Sequence, residues 1–295
     1  MDLITTVVGS YPSELDRATL ERAYRRGEDP FHEALEEAVR GQVDAGIMLV
    51  SDGQTRGDMI SIFARGLRGF RIKERVEIIS RVSYRSGITV EDQIKAKSLL
   101  PPDVGLKAII TGPYTLMKSS RDLHYHSQEE CMADIAEALH REAEALAEIC
   151  DVIQLDEPFL SIEYQDNVRE HVERVLQVDV ETALHVCGDV GEIAHELVEF
   201  EVDILDHEFT SHPHLYDVYG DLDTSKHMAV GVVDTTSRVE GVDVIAERIE
   251  RVLDTFGPGS HIDPDCGLRN LPGEVAREKL KNMVIAREMV LDERC

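Results

Sequence analysis

The feature that most constrains this chain is an alternation of short apolar, β-branched runs with longer segments of helical periodicity. Met132–Cys150 is the clearest helix, because Ile135, Leu139 and Leu146 fall on one face. Eight runs have the length and composition of buried strands: Thr5–Val8, Met48–Ser51, Lys107–Thr111, Val152–Leu155, Thr182–His185, Asp203–Asp206, Met228–Val232 and His261–Ile262. Strands that alternate with helices favour a parallel sheet, and eight such units predict a (β/α)8 TIM barrel. A doubly wound open sheet is the alternative.

One segment interrupts this alternation after the second predicted strand. Residues 69–90 mix apolar and basic side chains without a helical period, which predicts an inserted β-hairpin. The hairpin region carries a group of cations: Arg68, Arg71, Lys73, Arg75, Arg81 and Arg85. Such a hairpin either covers one end of the barrel or docks an anionic partner. Because no linker or repeat is visible, residues 1–295 are expected to form a single domain.

The acidic balance of the chain limits its partners. The 295 residues include 31 basic and 58 acidic side chains, a formal net charge of −27. Nucleic acids and anionic membranes attract clustered Lys and Arg, so we expect neither as a partner. The five cysteines are widely spaced and odd in number, which favours a reducing compartment over a disulfide framework. No apolar run suits a leader or a membrane span, so a cytoplasmic protein is expected.

Side chains able to bind a metal follow several predicted strands at the point where each strand ends. His185 and Cys187 follow the fifth strand, Glu208 the sixth and Cys266 the eighth. The carboxyl ends of barrel strands share one rim, so a barrel would bring these four together. One imidazole, two thiols and a carboxylate suit zinc. The competing interpretation is that His185 and Cys187 are buried parts of the core.

Asp156 ends the fourth predicted strand, behind a mostly apolar run. Burying a carboxylate costs free energy unless the group is paired. We therefore expect this side chain either to cap the start of a helix, which is its ordinary use after a strand, or to contact a ligand amine. The residues alone leave both interpretations open.

Seven segments together resemble the catalytic, C-terminal domain of cobalamin-independent methionine synthase. They follow the family's order over nearly the whole chain: TTVVGSYP (Thr5–Pro12), VSDGQTRGDM (Val50–Met59), TGPYTL (Thr111–Leu116), IQLDEP (Ile153–Pro158), HVCGD (His185–Asp189), VDILDHE (Val202–Glu208) and DPDCGL (Asp263–Leu268). The chain is most similar to the short archaeal relatives that consist of this domain alone. Those relatives resemble a methylcobalamin:homocysteine methyltransferase.

The resemblance implies a zinc-dependent methyltransferase. Four residues match the family's ligands to one zinc ion: His185, Cys187, Glu208 and Cys266. The implied reaction moves a methyl group to the thiol of L-homocysteine and forms methionine, with no catalytic residue beyond the zinc site. Two alternatives remain: a zinc barrel that methylates another thiol, such as a coenzyme thiol, and a non-catalytic barrel with structural zinc that binds a corrinoid protein.

The resemblance also implies a homocysteine site. Gly9 and Ser10 match the family's backbone contact to the substrate carboxylate, and Asp156 matches its partner for the ammonium group. Two positions depart from the family. Gln54 stands where the family commonly has a Glu that contacts the substrate ammonium, so Gln54 is the fourth residue expected to bind the substrate, and Thr236 stands where the family has a catalytic His. Without that proton donor, and without the Trp of the family's folate site, the implied methyl donor is methylcobalamin or a methylated corrinoid protein.

Overall fold

The computed structural model describes residues 3–13, 15, 17–236 and 238–294. Within these ranges the strands are β1 (Ile4–Thr5), β2 (Leu49–Val50), β3 (Arg68–Ile72), β4 (Val76–Ser83), β5 (Gly105–Thr111), β6 (Arg121–Asp122), β7 (Val152–Asp156), β8 (Glu181–Val186), β9 (Ile204–His207), β10 (His227–Val233) and β11 (His261–Pro264). The α-helices are α1 (Arg17–Arg26), α2 (Phe31–Asp44), α3 (Met59–Gly66), α4 (Val90–Lys97), α5 (Pro113–Lys118), α6 (Gln128–Ala147), α7 (Val168–Val175), α8 (Ala194–Leu197), α9 (Leu215–Gly220), α10 (Val242–Phe256) and α11 (Gly273–Arg294). None of the helices in these ranges has the length and hydropathy needed to cross a membrane.

Eight of the strands form one parallel sheet that closes on itself. Its order is β1-β11-β10-β9-β8-β7-β5-β2, and an isolated bridge between Thr6 and Leu49 joins the two ends. Each predicted strand overlaps one of these eight, and helices connect them along the chain. The predicted (β/α)8 TIM barrel is therefore confirmed, and the open doubly wound sheet is wrong.

Side chains inside the barrel stack in layers, because alternate residues of a strand point inward. The first layer is apolar and contains Leu49, Val152, Ala183, Ile204 and Ala229. Two residues further along their strands, Gln154, His185 and Asp206 are buried. The next positions of the same two-residue period are Asp156 and Cys187. The interior thus changes from apolar to polar toward the carboxyl ends of the strands, which is where barrel enzymes place their functional sites.

A buried hydrogen-bond chain connects the polar layers. Lys107 Nζ donates to Gln154 Oε1 (2.5 Å), and Gln154 Nε2 donates to Asp156 Oδ1 (2.8 Å). The Lys107 ammonium also favours the charged form of Asp206, which is buried. Burial and the neighbouring Asp206 raise the pKa of Asp263, and the Lys107 ammonium opposes this shift. Lys107 itself is 3% exposed. Its charge is therefore offset by protein groups rather than by water.

We expect Lys107→Met to lower the free energy of unfolding by about 3 kcal/mol or more, because it deprives Gln154 and the buried carboxyl groups of their cation. Denaturant titration followed by circular dichroism measures the loss. Lys97→Met is the matched control. Lys97 pairs with Asp151 at 2.7 Å on an exposed surface, and such pairs contribute about 0–1 kcal/mol. Similar losses in the two variants would contradict this account of the interior.

The inserted hairpin is present, with shorter bounds than predicted. Strands β3 and β4 pair antiparallel between Arg68 and Ser83, whereas the predicted segment ran to residue 90. It overran because Val90 already begins α4. Gly69 has a φ of 96° beside a register shift, which explains why a glycine opens this bulged strand. Strand β6 adds to β4 and completes a three-stranded sheet.

Part of the basic charge on this hairpin is neutralised within the protein. Arg71 donates to Glu77 across the two strands at 2.6 and 2.9 Å. Arg81 makes a bidentate contact with Asp134 of α6 at 2.8 and 2.9 Å, which fastens β4 to that helix. Two of the six cations therefore have an internal role. Docking of an anionic partner by the hairpin stays a prediction.

Candidate metal centre and adjoining cavity

Three of the four predicted metal ligands converge at the carboxyl end of the barrel. His185 lies on β8, Cys187 follows that strand and Cys266 follows β11. His185 Nε2 lies 2.9 Å from Cys187 Sγ, and 3.6 Å separates the two thiol sulfurs. The three ligand atoms all lie within 4.8 Å of one another. The barrel has thus joined two cysteines that are 79 residues apart in sequence.

The fourth predicted ligand, Glu208, lies beside this cluster rather than in it. Its carboxylate accepts a hydrogen bond from the backbone of Gly188, and its Oε2 lies 3.8 Å from Nε2 of His212. Burial raises the pKa of Glu208, and negative charge on Cys266 adds to the effect. Glu208 is therefore close enough to interact electrostatically with Cys266, while its oxygens contact Gly188 and His212.

A carboxylate that sequence reasoning missed stands behind the cluster. Asp206 Oδ2 lies 3.1 Å from Nδ1 of His185, and both side chains are 1% exposed. Histidines that bind a metal commonly direct their second ring nitrogen to a carboxylate, which fixes the orientation of the ring. The available signal was the spacing, because Asp206 lies two residues before the predicted ligand Glu208. In the fold, Asp206 lies on β9 and pairs in register with His185.

Asp206→Asn is expected to weaken zinc binding by about 10- to 100-fold, because the amide cannot supply the negative charge that orients His185. Competition with a chromogenic chelator measures the zinc Kd. The control is Asp203→Asn. Asp203 directly precedes β9 and accepts from Thr182 (2.8 Å), near the amino-terminal end of β8. An unchanged zinc Kd in the Asp206 variant would refute this positioning role.

The groups of the cluster polarise one another. The contact with Cys187 lowers the pKa of the Cys266 thiol, and His185 adds to this effect. The same contact, together with burial, raises the pKa of Cys187. Burial opposes protonation of His185, but Cys187 and Asp206 outweigh it and raise the pKa of the ring. A divalent cation would offset the negative charge that the thiols and Asp206 can carry. An imidazole and two thiols are ligands that zinc prefers.

A cavity of about 210 Å³ opens beside the cluster. It is smaller than the roughly 300–1,000 Å³ of pockets for drug-sized ligands, so it suits a small metabolite. Its walls contain the three cluster residues together with Val8, Ser10, Gln54, Asp58, Met59, Asp156, Pro158, Gly267, Arg269 and Asn270. Three of the four residues predicted to bind substrate therefore line one cavity, and Gly9 is the immediate neighbour of Ser10.

Asp156 places a buried carboxyl group on the wall of this cavity. The side chain is 7% exposed, and its Oδ1 accepts from Gln154. Burial raises the pKa of Asp156 to about 6, although His185 and the Gln154 amide favour the charged form. The helix cap at this point comes from the neighbouring Glu157, which accepts from the first turn of α5 at Tyr114 (2.9 Å). The Asp156 carboxyl group accepts from Gln154 and, among the described residues, from no helix N–H, so its contact with a ligand amine stays a prediction.

The segment Gly9–Ser10 is held between two neighbouring segments. Ser51 Oγ donates to the Gly9 carbonyl (2.6 Å), and the Leu268 N–H donates to the Ser10 carbonyl (2.8 Å). A Cβ at Gly267 would lie 2.1 Å from Ser10 Oγ, so a side chain at this position would displace the Ser10 hydroxyl. Ser10 therefore lines the cavity in a fixed position beside the loop that follows β11.

Gln54 combines an unusual backbone conformation with an unsatisfied side chain. Its φ is 46°, in the left-handed region that residues other than glycine seldom adopt. The side chain is 8% exposed, and across the described part of the chain its Nε2 has no hydrogen-bond partner. Arg269 donates to the Gln54 carbonyl and braces this turn. A buried, unpaired amide on a cavity wall suits an acceptor atom of a ligand.

Thr236, the position that departs from the family's catalytic His, lies away from the cavity walls. Its side chain is exposed, and Oγ1 donates to Asp234 Oδ1 (2.9 Å). The same Asp234 oxygen accepts from Lys279 Nζ (2.8 Å). Thr236 is therefore part of a turn built around Asp234.

A second group of possible metal ligands lies on two helices. Glu129, Glu170 and His171 each place one ligand atom within 4.8 Å of the others. His171 Nε2 lies 2.7 Å from Glu129 Oε1, and Asn167 donates to the other oxygen of Glu129. Because Glu129 is on α6 and His171 on α7, these contacts join the two helices. An ion-paired helix contact explains the group.

Comparison with known proteins identifies the family. The family described as "Cobalamin-independent synthase, Catalytic domain" matches residues 3–289 of this chain. The chain belongs to this family. The methionine synthase of Methanothermobacter marburgensis is 41% identical over 305 residues, which cover 96% of this chain and 99% of that protein. The methionine synthase of Methanocaldococcus jannaschii is 38% identical over 311 residues, with 98% and 99% covered. This member of the cobalamin-independent synthase family is a methyltransferase.

Solved structures agree with the barrel. A B12-independent methionine synthase from Shewanella sp. W3-18-1, in complex with selenomethionine, matches with a TM-score of 0.86 and 25% identity, and covers 99% of each chain. A putative vitamin-B12 independent methionine synthase from Listeria monocytogenes matches with a TM-score of 0.76 and 17% identity, and covers 98% of this chain and 99% of its own. The second likeness concerns the fold alone.

The comparisons do not support the predicted methyl donor. The family description and the Shewanella enzyme both state independence of cobalamin or vitamin B12. Methylcobalamin and a corrinoid protein therefore lack support as donor and partner, and the finer prediction of a methylcobalamin-using archaeal form is not confirmed. Thr236, whose identity entered that prediction, is not among the residues that line the cavity beside the cluster.

Proposed function

We propose that this chain transfers a methyl group to the thiol of L-homocysteine and forms methionine. The observation that carries the proposal is the convergence of His185, Cys187 and Cys266 beside a cavity whose wall also presents the buried carboxyl group of Asp156. The names of the relatives support it, and the Shewanella relative holds selenomethionine, an amino acid of the same shape as the product.

The residues of the cluster fit one zinc ion. His185, Cys187 and Cys266 would hold it, and the resemblance adds Glu208 as the fourth ligand. The separate carboxylate of Asp206 behind the imidazole is what such a site requires to orient its histidine. A bound zinc ion would favour the thiolate form of a substrate thiol near neutral pH, and the thiolate is the nucleophilic form.

The cavity supplies the other contacts that homocysteine needs. Asp156 would bind the ammonium group, and the Gly9–Ser10 segment would take the carboxylate. Val8, Met59 and Pro158 give the same cavity an apolar portion for the methylene groups. In the reaction the substrate sulfur forms a bond to the methyl carbon while the bond from that carbon to the donor breaks. The electron pair leaves with the donor, and the thiol proton goes to solvent.

A methyl-transfer assay tests this function. The zinc-loaded protein is incubated with L-homocysteine and, in separate reactions, with methyltetrahydrofolate or methylcobalamin as donor. Methionine is quantified by mass spectrometry. Formation of methionine that depends on both the protein and zinc is the expected result. If protein that binds one equivalent of zinc forms no methionine with methyltetrahydrofolate and none with methylcobalamin, the proposal is contradicted.

The acceptor is tested in the same assay. A coenzyme thiol such as 2-mercaptoethanesulfonate lacks the ammonium group that the buried carboxyl group of Asp156 would bind. We therefore expect homocysteine to be methylated at least about 100-fold more efficiently at equal concentration. A preference for the sulfonate would transfer the proposal to that substrate.

A further inference from the structure

The wall of the cavity contains one guanidinium group, that of Arg269, which the sequence did not single out. Arg269 lies three residues after Cys266 in the loop that follows β11. Burial lowers its pKa, and the charges of Asp58 and Asp52 oppose that effect. An arginine remains protonated in a protein under such conditions, so a positive charge stands on the cavity wall.

The hydrogen bonds of Arg269 leave most of its donors unused. One guanidinium nitrogen donates to the Gln54 carbonyl. In the described part of the chain no carboxylate lies within ion-pair distance of this guanidinium, unlike Arg56, Arg71 and Arg81, which all pair with acids. In a chain of net charge −27, the guanidinium of Arg269 thus stays free of an acidic partner while it lines a cavity. Its remaining N–H groups suit a planar, two-oxygen anion.

The two carboxyl groups on the cavity wall, those of Asp58 and Asp156, make their hydrogen bonds to groups other than Arg269. Asp58 accepts from the N–H groups of Ile60 and Ser61 at the start of α3, at 3.1 and 2.9 Å. Asp156 accepts from Gln154. The cavity therefore offers one buried carboxyl group and one guanidinium toward the same small volume. This pairing complements an α-amino acid, which carries one ammonium and one carboxylate.

The position of Arg269 indicates which end of the amino acid it would bind. Its neighbour Leu268 donates to the Ser10 carbonyl (2.8 Å), and Gly267 packs against the Ser10 side chain. The guanidinium is thus carried by the loop that is bonded to Ser10, the residue expected to contact the substrate carboxylate.

We propose that Arg269 binds the α-carboxylate of the amino-acid substrate and so selects amino-acid thiols over simple thiols. This inference rests on the proposed function, because it assigns a residue to the substrate of that site. The simpler alternative is that Arg269 only braces the turn at Gln54. A brace would affect all ligands of the cavity alike, whereas a carboxylate contact affects only ligands that carry a carboxylate.

Calorimetric binding of two probes separates these roles without requiring turnover. The probes are L-methionine and 3-(methylthio)propylamine, which is methionine without its carboxylate. Arg269→Gln is expected to raise the Kd of L-methionine by about 30-fold or more, as for loss of a buried charge pair. The Kd of the amine should change by less than about 3-fold. Arg269→Lys, which keeps the charge but loses the two-pronged geometry, should fall between. Arg287→Gln is the matched control, because Arg287 donates to the Leu3 carbonyl (2.6 Å) and lies outside the cavity walls.

Equal weakening of both probes in Arg269→Gln would overturn the inference and leave Arg269 as a brace. An unchanged preference for L-methionine would overturn it as well. In both cases the wild-type methyl-transfer assay still reports on the proposed function. A wild-type protein that binds the amine as tightly as L-methionine would overturn the inference directly, and methionine formation in the assay would then still support methyl transfer.

Discussion

Cys266→Ala is expected to abolish zinc binding and methyl transfer together. The thiol of Cys266 lies 3.6 Å from that of Cys187, and its pKa is lowered by this contact, so it is the readiest thiolate of the cluster. Its loss would leave only the imidazole of His185 and the thiol of Cys187 in the cluster. We expect the zinc content to fall from about one equivalent to nearly none and kcat/KM to fall by at least about 1,000-fold, or about 4 kcal/mol of transition-state stabilisation. Cys187→Ala should behave in the same way.

Plasma emission spectroscopy measures the zinc, and the methyl-transfer assay measures the activity. Cys131→Ala is the matched control, because Cys131 is a fully buried packing residue of α6 whose thiol pKa is raised by burial to about 12. That variant should keep its zinc and its activity. A Cys266→Ala protein that is free of zinc and yet fully active would end the proposed mechanism.

Asp156→Asn is expected to impair the use of homocysteine while leaving the metal in place. The substituted amide keeps the size of the side chain but cannot offset the charge of the substrate ammonium in a buried position. Truncating one partner of a buried charge pair costs about 2–5 kcal/mol, so kcat/KM for homocysteine should fall by about 100-fold, mainly through KM. Zinc content should stay at about one equivalent, because Asp156 is not among the cluster residues.

The ammonium contact is isolated by a second acceptor, 4-mercaptobutanoate, which is homocysteine without its amino group. The wild-type enzyme should use it poorly, and Asp156→Asn should use it as well as the wild type does. If the variant loses activity equally toward both acceptors, Asp156 supports the structure of the site rather than the ammonium. Asp203→Asn, which alters a carboxylate paired with Thr182 away from the cavity, controls for the general effect of removing a charge.

The barrel could be predicted from the sequence because the local composition of each strand segment predicts it. The run around Leu184 predicts residues 182–185 as a strand, and β8 spans Glu181–Val186. Parallel strands buried on both sides are apolar along most of their length, so composition alone reveals them. The end of the hairpin at Ser83 was missed, because the segment after it is held by a distant residue. Glu142 of α6 accepts from the Ile88 and Thr89 N–H groups (2.8 and 2.7 Å).

The cluster of His185, Cys187 and Cys266 could also be predicted, because strand order alone places these residues on one rim. The side-chain direction of Glu208 could not. The loop that follows Glu208 is held by Asp265, which accepts from the N–H groups of Thr210 and Ser211 at 2.9 and 2.8 Å. That contact joins residues more than fifty positions apart, and no local pattern encodes it.

Asp206 and Arg269 were missed for different reasons. Asp206 ends a predicted strand, and its acidic side chain has no evident role there. Its role is recognised only from its register with His185. Arg269 lies in a loop, and a single arginine in a loop is usually solvated. Only the fold shows that this loop closes over the cavity beside Ser10.

We propose that the rim residues would hold a zinc ion to which the sulfur of homocysteine would bind as an additional ligand. Zinc K-edge X-ray absorption of the zinc-loaded protein, recorded with and without L-homocysteine, tests it most directly. The account predicts two sulfur ligands, at about 2.3 Å, without substrate and three with it. A zinc shell that is identical with and without saturating homocysteine would contradict the account, because it would describe a closed structural site.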